Sequence, residues 1–273
     1  MIDSVESELG NLPVIKDVLR DGMERIQTID LDDGLTAYVV DQPGRTLNLS
    51  THRRIYQALV PVTTRSFAAD MTHYWAQRSR EGYLERLAEF VLVMDVGGRM
   101  VGWTGYHVLP FDEQTIVYLD STGMVPEYQS RGAMRRLMRH RVEFGVPTKC
   151  PPDRPVYLSA RSESPIFYRL MQRLLPRAEL FPQPSSPTPQ DVAGCALALA
   201  EWLGQRHILE SETLALRGAY DVVDELYGEL PTTGDSGLDE LFRARLGPLD
   251  AYLLIGKLAD ASTLSARAEV SAS

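Results

Sequence analysis

The sequence of 273 residues predicts an α/β fold, with a mixed, mostly antiparallel sheet and helices on both of its faces. Two observations support this prediction. The first is a hairpin, in which the apolar runs FVLVMDV (90–96) and RMVGWTGYHVL (99–109) flank Gly97-Gly98. A Gly-Gly pair between two such runs is typical of a two-residue hairpin turn. After a turn at 110–114, the run TIVYLDSTGM (115–124) predicts the third strand of an antiparallel meander.

The second observation is the order strand, helix, strand between residues 115 and 160. Within 132–144 the apolar residues recur at helical spacing, at Met134, Leu137, Met138 and Val142. The run VYLSA (156–160) then predicts the next strand. A strand–helix–strand unit favours a parallel pair of strands joined by a right-handed crossover.

The flanking segments supply the remaining elements. Ser164 suits a helix N-cap and Pro165 the first helical position, so a helix is predicted over 166–175. The other predicted elements are a weak helix at 14–26, strands at 34–40, 212–223 and 251–258, two or three helices within 51–89, an extended proline-rich connection at 176–190 and a helix at 191–207. We expect one domain over 1–258, with a core at 90–175, an extension at 176–258 and a disordered tail at 259–273.

Composition argues against several classes of protein. The chain is 44% hydrophobic and 24% charged, as globular proteins usually are. Its 28 Lys and Arg against 37 Asp and Glu give a net charge of −9, which argues against a nucleic-acid partner. The two cysteines, Cys150 and Cys195, and the five histidines show no disulfide, redox or metal-binding spacing, so no metal is expected.

The sequence predicts neither a signal peptide nor a membrane span. The acidic start MIDSVESELG does not resemble a signal peptide, and no apolar run is long enough to span a membrane. We therefore expect a cytoplasmic protein without a membrane partner. The oligomeric state is left open, and a homodimer is one of the alternatives.

The stretch LDSTGMVPEYQSRGAM (119–134) is the clearest candidate for a binding loop, because a strand gives way to a helix within it. The first N–H groups of a helix have no partners within it, and with the helix dipole they favour an anion. Gly132 would let a phosphate approach the backbone, and Arg131, Arg135 and Arg136 would add charge. The alternative is an ordinary turn with a solvated arginine face. The loop has neither the Walker Lys-Ser/Thr nor the glycine spacing of a dinucleotide fingerprint.

The chain resembles the GNAT superfamily of N-acetyltransferases in three features: the motif VPEYQSRGAMRRLM, the segment VYLSARSESPIFYRLM and the order of elements. The resemblance covers about 90–175, and Gln129–Met134 corresponds to the family's Gln/Arg-x-x-Gly-x-Gly/Ala signature. Three features depart from the family pattern: Met134 replaces a Gly or Ala, Ser162 replaces a common asparagine, and RLMQRLLP replaces a Leu-Gly-Phe.

The resemblance implies a sheet splayed in a V between the strands 115–124 and 155–160. It also implies an acyl-CoA-dependent N-acyltransferase, most simply one that transfers acetyl from acetyl-CoA to an amine by direct attack. A small-molecule amine is the expected acceptor. Two alternatives remain: a CoA-binding protein with other chemistry, such as O-acylation or decarboxylation, and a non-catalytic binding or regulatory module on the same fold.

The resemblance also assigns roles to individual residues. The backbone of Gly123, Met124 and Val125 would hold the pantetheine arm of the cofactor. The pyrophosphate would lie on the amides of Gln129, Ser130, Arg131, Gly132, Ala133 and Met134, and Ser162 would complete the cofactor contacts. The catalytic candidates are Tyr168 as general acid, whose alternative is core packing, and Asp120 as base, whose alternative is a solvated strand residue. His107 is a second candidate base.

One motif resembles the active-site sequence of a different class of enzyme. Gly234-Asp235-Ser236-Gly237 has the letters found around the nucleophile of chymotrypsin-like proteases. The chain has no partner histidine motif for it, so we interpret this segment as a turn before the helix LDELFRARL.

Overall fold

The computed structural model describes residues 11–112, 114–175, 179–184, 186–221 and 230–258. The chain divides into two compact units, Met1–His107 with Asp120–Leu137 and Val108–Leu119 with Met138–Ser273, called here the first and the second unit. The predicted disordered tail at 259–273 lies outside the described residues. The expectation of one domain over 1–258 stays a prediction.

Four strands pair antiparallel in sequence order in the first unit. They are β1 (Ile26–Asp30), β2 (Thr36–Asp41), β3 (Glu89–Met94) and β4 (Met100–Phe111), of which β4 continues into the second unit. The predicted hairpin is therefore confirmed, with Phe90 opposite Gly105. The sequence analysis missed β1 because its residues are largely polar and exposed, with only Ile26 buried, so it has no apolar run.

Helices fill the segment between β2 and β3. They are α1 (Pro43–Thr46), α2 (Leu49–Phe67), α3 (Thr72–Arg80) and α4 (Tyr83–Arg86). Asn48 caps α2 by accepting the Thr51 N–H at 2.9 Å. The buried indole of Trp75 on α3 donates to the Thr63 hydroxyl on α2 at 2.8 Å, which joins the two helices. This packing fixes the last turn of α3, where a site residue, Arg78, lies.

The second unit contains the parallel pair of strands that the strand–helix–strand order predicts. Strand β5 (Gln114–Met124) runs parallel to β6 (Val156–Ser162), in register from Thr115–Val156 to Leu119–Ala160. The ladder ends there, although both strands continue. The antiparallel partners that follow are β7 (Leu180–Phe181), β8 (Leu209–Glu210), β9 (Ala215–Leu216) and β10 (Ala251–Leu258). A mixed, mostly antiparallel sheet is thus confirmed.

The later helices match the predicted positions with shifted ends. They are α5 (Ala133–His140), α6 (Pro165–Leu174), α7 (Gln190–Trp202) and α8 (Ser236–Arg245). The predicted helix 132–144 changes at Arg141 into a π-helical turn that extends to Gly145. The segment at Gly234 is indeed a turn before a helix, since Asp235 caps α8 by accepting the Leu238 N–H at 3.3 Å.

The predicted strand at 212–223 is wrong over its described part. Only Ala215–Leu216 form a strand, and residues 222–229 lie outside the described residues. Leu214 and Gly218 have φ of 60° and 71°, and two left-handed residues so close together interrupt an extended run. A pattern of apolar residues does not predict such backbone dihedral angles.

Candidate active site

The loop from Val125 to Gly132, called here the Gly132 loop, lies wholly in the first unit. Pro126–Tyr128 form a single 3-10 turn. Ser130 and Gly132 are left-handed, with φ of 62° and 79°, a conformation that glycine adopts without steric cost. The first helical hydrogen bond of α5 runs from the Arg136 N–H to the Gly132 carbonyl at 3.0 Å. The N–H groups of residues 133–135 therefore precede it, as an anion site at a helix N-terminus requires.

Three arginines surround this loop, and two of them are engaged. Arg131 donates to the Glu127 carbonyl at 2.8 Å and lies 5.1 Å from the ring centre of Tyr128. Arg136 donates to the Leu31 carbonyl at 3.0 Å. Arg135 is exposed, and no hydrogen bond or ion pair joins its guanidinium to another described residue. Its charge is the one most readily available to an anion.

The backbone groups expected to hold pantetheine are partly occupied. The Val125 N–H donates to the Val101 carbonyl at 2.9 Å, and the Val125 carbonyl accepts the Tyr128 N–H at 3.0 Å. The side-chain amide of Gln129 donates to the Met124 carbonyl at 2.6 Å. The Gln129 N–H is also used, since it donates to the Pro126 carbonyl at 3.1 Å. These bonds favour the N–H groups of Ser130 to Met134 over that of Gln129 for an anion.

Gly123 is required by close packing at the end of β5. A Cβ on this residue would collide with the ring of Trp103. The Trp103 indole N–H donates to the Ser121 hydroxyl at 2.8 Å, and Ser121 is left-handed, with φ of 61°. A left-handed residue inside a strand changes the direction in which the neighbouring side chains point, as in a β-bulge. Trp103 thus holds the irregular strand segment that follows Asp120.

Asp120 lies in a buried cluster with Arg78, His107 and Tyr83, called here the Asp120 cluster. It is 6% exposed, so it is not the solvated strand residue that was the alternative interpretation. Its carboxylate forms an ion pair with Arg78 and lies 3.2 Å from His107 Nε2. The Tyr83 hydroxyl donates to the Asp120 carbonyl at 2.6 Å. The two candidate bases predicted separately, Asp120 and His107, are therefore in contact.

The charges of this cluster decide what Asp120 can do. Burial by itself would raise the pKa of Asp120, but the Arg78 charge and the hydrogen bonds from His107 and Arg78 hold that pKa well below its ordinary value. The carboxylate therefore stays ionised and accepts a proton poorly. It is better suited to orienting His107 and Arg78 than to taking a proton from an amine itself. The role of Asp120 as base stays a prediction.

The site residues of the second unit lie where β6 passes into α6. The Ser162 hydroxyl accepts the Ser164 N–H at 3.0 Å, and the Ser164 hydroxyl caps α6 by accepting the Phe167 N–H at 3.3 Å. The predicted N-cap is therefore confirmed. Ser162 supports this cap, and its assignment as a cofactor contact stays a prediction.

Tyr168 has the contacts of a core residue. Its hydroxyl donates to the Pro182 carbonyl at 2.8 Å, and its ring packs edge-on against Phe242 with the centroids 5.8 Å apart. Burial, and then the neighbouring Tyr252, raise the pKa of Tyr168 to about 12. These contacts match the packing interpretation, so the role as general acid stays a prediction without a supporting contact.

Two residues with properties expected of a functional site were not predicted from the sequence. Arg78 lies far from the motif in sequence, and only the fold brings it to Asp120. Glu163 follows β6 directly, is 4% exposed and has no hydrogen bond to another described residue. Burial, and then the charge of Asp250, raise the pKa of Glu163 to about 8. A signal existed for Glu163, because an acidic residue stands between an apolar strand and a Ser-Pro helix start.

Metal sites and membrane-spanning helices are both absent from the described part of the chain. Within it, no three His, Cys, Asp or Glu side chains converge in a way that could hold a metal ion. No helix among the described residues is both long and apolar enough to cross a membrane.

Comparison with known proteins finds a family match over part of the chain. The acetyltransferase (GNAT) family model matches residues 53–152. No curated protein matches the chain in sequence. Among solved structures, an aminoglycoside acetyltransferase from an uncultured soil metagenomic sample is 19% identical, with 56% of this chain and 99% of that chain covered and a TM-score of 0.40.

Two other solved structures are similar to parts of the chain. A ribosomal-protein-S5-alanine acetyltransferase from Vibrio fischeri is 13% identical, covering 54% of this chain and 81% of that one, with a TM-score of 0.35. A GNAT family N-acetyltransferase from Escherichia coli in complex with CoA is 16% identical, with 42% of this chain and 61% of that chain covered and a TM-score of 0.33. The match over residues 53–152 confirms the resemblance predicted from the motif, and this part of the chain is similar to the GNAT acetyltransferase family.

Proposed function

We propose that this chain is an acyl-CoA-dependent N-acyltransferase, which transfers an acetyl group from acetyl-CoA to a small-molecule amine. The observation that supports it most directly is the Gly132 loop. It follows β5, contains a left-handed glycine and precedes the open first turn of α5. A family match over 53–152 accompanies this geometry.

The residues of the loop fit the pyrophosphate of CoA. A Cβ at Gly132 would come within 3.3 Å of Arg136 and 3.6 Å of Arg135, so the absence of a side chain keeps this position open. The N–H groups of residues 133–135 supply donors, and Arg135 supplies an exposed charge. The Met134 side chain is half-buried, and the backbone N–H of Met134 belongs to that first turn.

Acetyl-CoA, when bound, supplies an acyl group activated as a thioester. The chain supplies binding and orientation. The N–H groups of Gly123 and Met124 are candidates for contacts with pantetheine, and that of Met124 for stabilising the oxyanion. The Asp120 cluster and Trp103 fix the strand segment that presents them. The nucleophile is the acceptor amine itself, because the thiols of Cys150 and Cys195 are buried and their pKa values are raised by burial to about 11 and 12.

Titration calorimetry with CoA and acetyl-CoA tests the binding step, and release of free thiol over a panel of amines tests the transfer. We expect binding of both ligands and thiol release that depends on an amine. No binding at millimolar ligand would exclude every CoA-based function. Binding without transfer to any amine would favour a binding module, and transfer only to alcohols would favour O-acylation.

A further inference from the structure

An open pocket of about 570 Å³ lies at one end of the strands of the first unit. Strands β1 and β2, the turn between them and the turn of the β3–β4 hairpin supply most of its lining. Among the described residues, neither the Gly132 loop nor the Asp120 cluster contributes to this lining. The pocket, called here the Tyr38 pocket, is therefore separate from the residues to which the proposed acyl transfer was assigned.

The wall of the pocket contains a buried side chain whose hydroxyl has no partner. Tyr38 is 6% exposed, and no hydrogen bond joins its hydroxyl to another described residue. The side-chain atoms of the described chain that are both sealed from water and unsatisfied do not include this hydroxyl. Because Tyr38 lines the pocket, its hydroxyl is reached from there. The hydroxyl of a buried tyrosine usually has a hydrogen-bond partner, so this one is available to a ligand.

Asp30 lies beside Tyr38 on the same face of the sheet. In the β1–β2 pair, Thr28 is opposite Tyr38 and Asp30 is opposite Thr36. Side chains that are opposite one another, or two positions apart along a strand, point to the same face, so Asp30 and Tyr38 are diagonal neighbours. Such neighbours are roughly 7–8 Å apart, and long side chains reach across this distance. One small group can therefore contact both the carboxylate and the hydroxyl.

The charged groups of the pocket leave one carboxylate without a cation. Four carboxylates and one ammonium group line the pocket, those of Asp30, Asp32, Asp33, Asp95 and Lys16. Arg136 lies 3.4 Å from the carboxylate of Asp32 and 3.8 Å from that of Asp33. Arg99 pairs with Asp95 at 2.6 Å. The Asp30 carboxylate accepts the Asp32 N–H at 2.9 Å, but it forms no ion pair with another described residue.

The chemistry of this lining fits an ammonium group better than a metal ion. Calcium and magnesium require six or more oxygen ligands around one point. The carboxylates of the pocket do not converge in this way, since no three acidic, histidine or cysteine side chains of the described residues could hold a metal. A primary ammonium instead needs three acceptors. The Asp30 carboxylate, the Tyr38 hydroxyl and the hydroxyl of Thr28 on the same face supply them.

We propose that the Tyr38 pocket binds an organic cation that carries a primary ammonium group. The ammonium donates hydrogen bonds to the Asp30 carboxylate and to the Tyr38 hydroxyl, and the alkyl part of the ligand occupies the remaining volume of the pocket. This site goes beyond the proposed function, because it involves none of the residues assigned to CoA or to acyl transfer.

Titration calorimetry with n-butylamine at neutral pH and low ionic strength tests this site. The variants are Asp30→Asn, which keeps an oxygen that can accept the Asp32 N–H, and Tyr38→Phe, which keeps the buried ring. Glu24→Gln is the control, because Glu24 is an exposed carboxylate of the same unit outside the pocket lining. We expect saturable binding to wild type and to the control. Affinity should fall about tenfold or more in Asp30→Asn and about three- to tenfold in Tyr38→Phe.

A second probe separates the hydrogen bonds of the ammonium from its charge. Butyltrimethylammonium keeps the positive charge and the alkyl chain of protonated butylamine but has no N–H donor. We expect it to bind wild type at least about tenfold more weakly, because it cannot donate to the carboxylate or to the hydroxyl. Magnesium chloride at the same concentration should produce no saturable binding that Asp30→Asn abolishes.

Four results would overturn the inference. They are no saturable binding of butylamine up to about 10 mM, a range that includes even weak specific sites, equal affinity in wild type and both pocket variants, an equal loss in Glu24→Gln, or equal affinity for the two amines. Equal affinity in the pocket variants would place the amine elsewhere, and an equal loss in the control would indicate a general effect of surface charge. The measurement needs neither CoA nor turnover, so its outcome is independent of the proposed function.

Discussion

At the scale of single residues, the Asp120 cluster shows how partners determine the role of a buried carboxylate. Asp120 and Glu163 have similar burial, at 6% and 4% exposure, but opposite pKa shifts. Asp120 has a cation and an imidazole beside it, whereas Glu163 faces only the like charge of Asp250. Asp120 is therefore held in its ionised form, whereas burial and the charge of Asp250 favour the protonated form of Glu163.

Replacing Arg78 by Met should leave Asp120 with an uncompensated charge. We expect the free energy of unfolding at pH 7 to fall by about 3 kcal/mol, the usual cost of removing one partner of a buried pair. Urea denaturation measures it, and Arg80→Met on the exposed part of the same helix is the control. A loss below about 0.5 kcal/mol, as for a surface pair, would show that the pair does not stabilise the fold.

The same pair gives a pH dependence of known sign. The pKa of Asp120 is lower in the folded chain, so its stabilisation is complete above the unfolded pKa of about 3.9 and is lost as pH falls through the folded value. Arg78→Met should therefore flatten the loss of stability at acid pH, which urea denaturation at a series of pH values measures.

Tyr168→Phe tests the contacts of a different residue. It removes the hydrogen bond to the Pro182 carbonyl and keeps the edge-on packing against Phe242. We expect a loss of about 1 kcal/mol in unfolding free energy with turnover retained. Thermal melts and thiol release measure the two effects. If turnover instead fell by about two orders of magnitude while stability stayed unchanged, Tyr168 would be assigned as the general acid.

At the scale of elements, the Gly132 loop and α5 form the clearest unit of structure and chemistry. Periodicity and the Gly-Gly turn predicted the hairpin, the parallel pair and α5, because these depend on local residue pattern. The sequence could not predict that Gln129 would close onto Met124, or that α3 would bring Arg78 to Asp120. Those contacts depend on packing between segments far apart in the chain.

Gly132→Ala should weaken the loop in two ways. A Cβ at φ of 79° is strained, which costs about 1 kcal/mol of stability, and it meets Arg136 at 3.3 Å. We expect CoA affinity to fall roughly tenfold or more, corresponding to about 1.4 kcal/mol. Gly194→Ala on α7 is the control, since a Cβ there meets nothing within 4 Å and should only favour the helix. Equal CoA affinity in both variants would contradict the assignment of the loop.

At the scale of the whole molecule, the two units contain different residues of those described above. The first unit contains the Gly132 loop and the Asp120 cluster, and the second contains Glu163. Trp75 and Trp103 are buried in the first unit at 1% and 0% exposure, and Trp202 belongs to the second. Tryptophan fluorescence therefore reports largely on the unit that contains the loop.

CoA should raise the melting temperature recorded by this fluorescence, because a ligand that binds only the folded state stabilises it. At about 100 times the dissociation constant the gain is about 2.7 kcal/mol, or roughly 5 °C or more for a chain of this size. Pantetheine has the same thiol arm but no pyrophosphate. If the loop amides and Arg135 hold the pyrophosphate, pantetheine at the same concentration should produce a much smaller shift. Equal shifts with both ligands would mean that the arm alone accounts for binding, and Gly132→Ala would then leave the CoA shift unchanged.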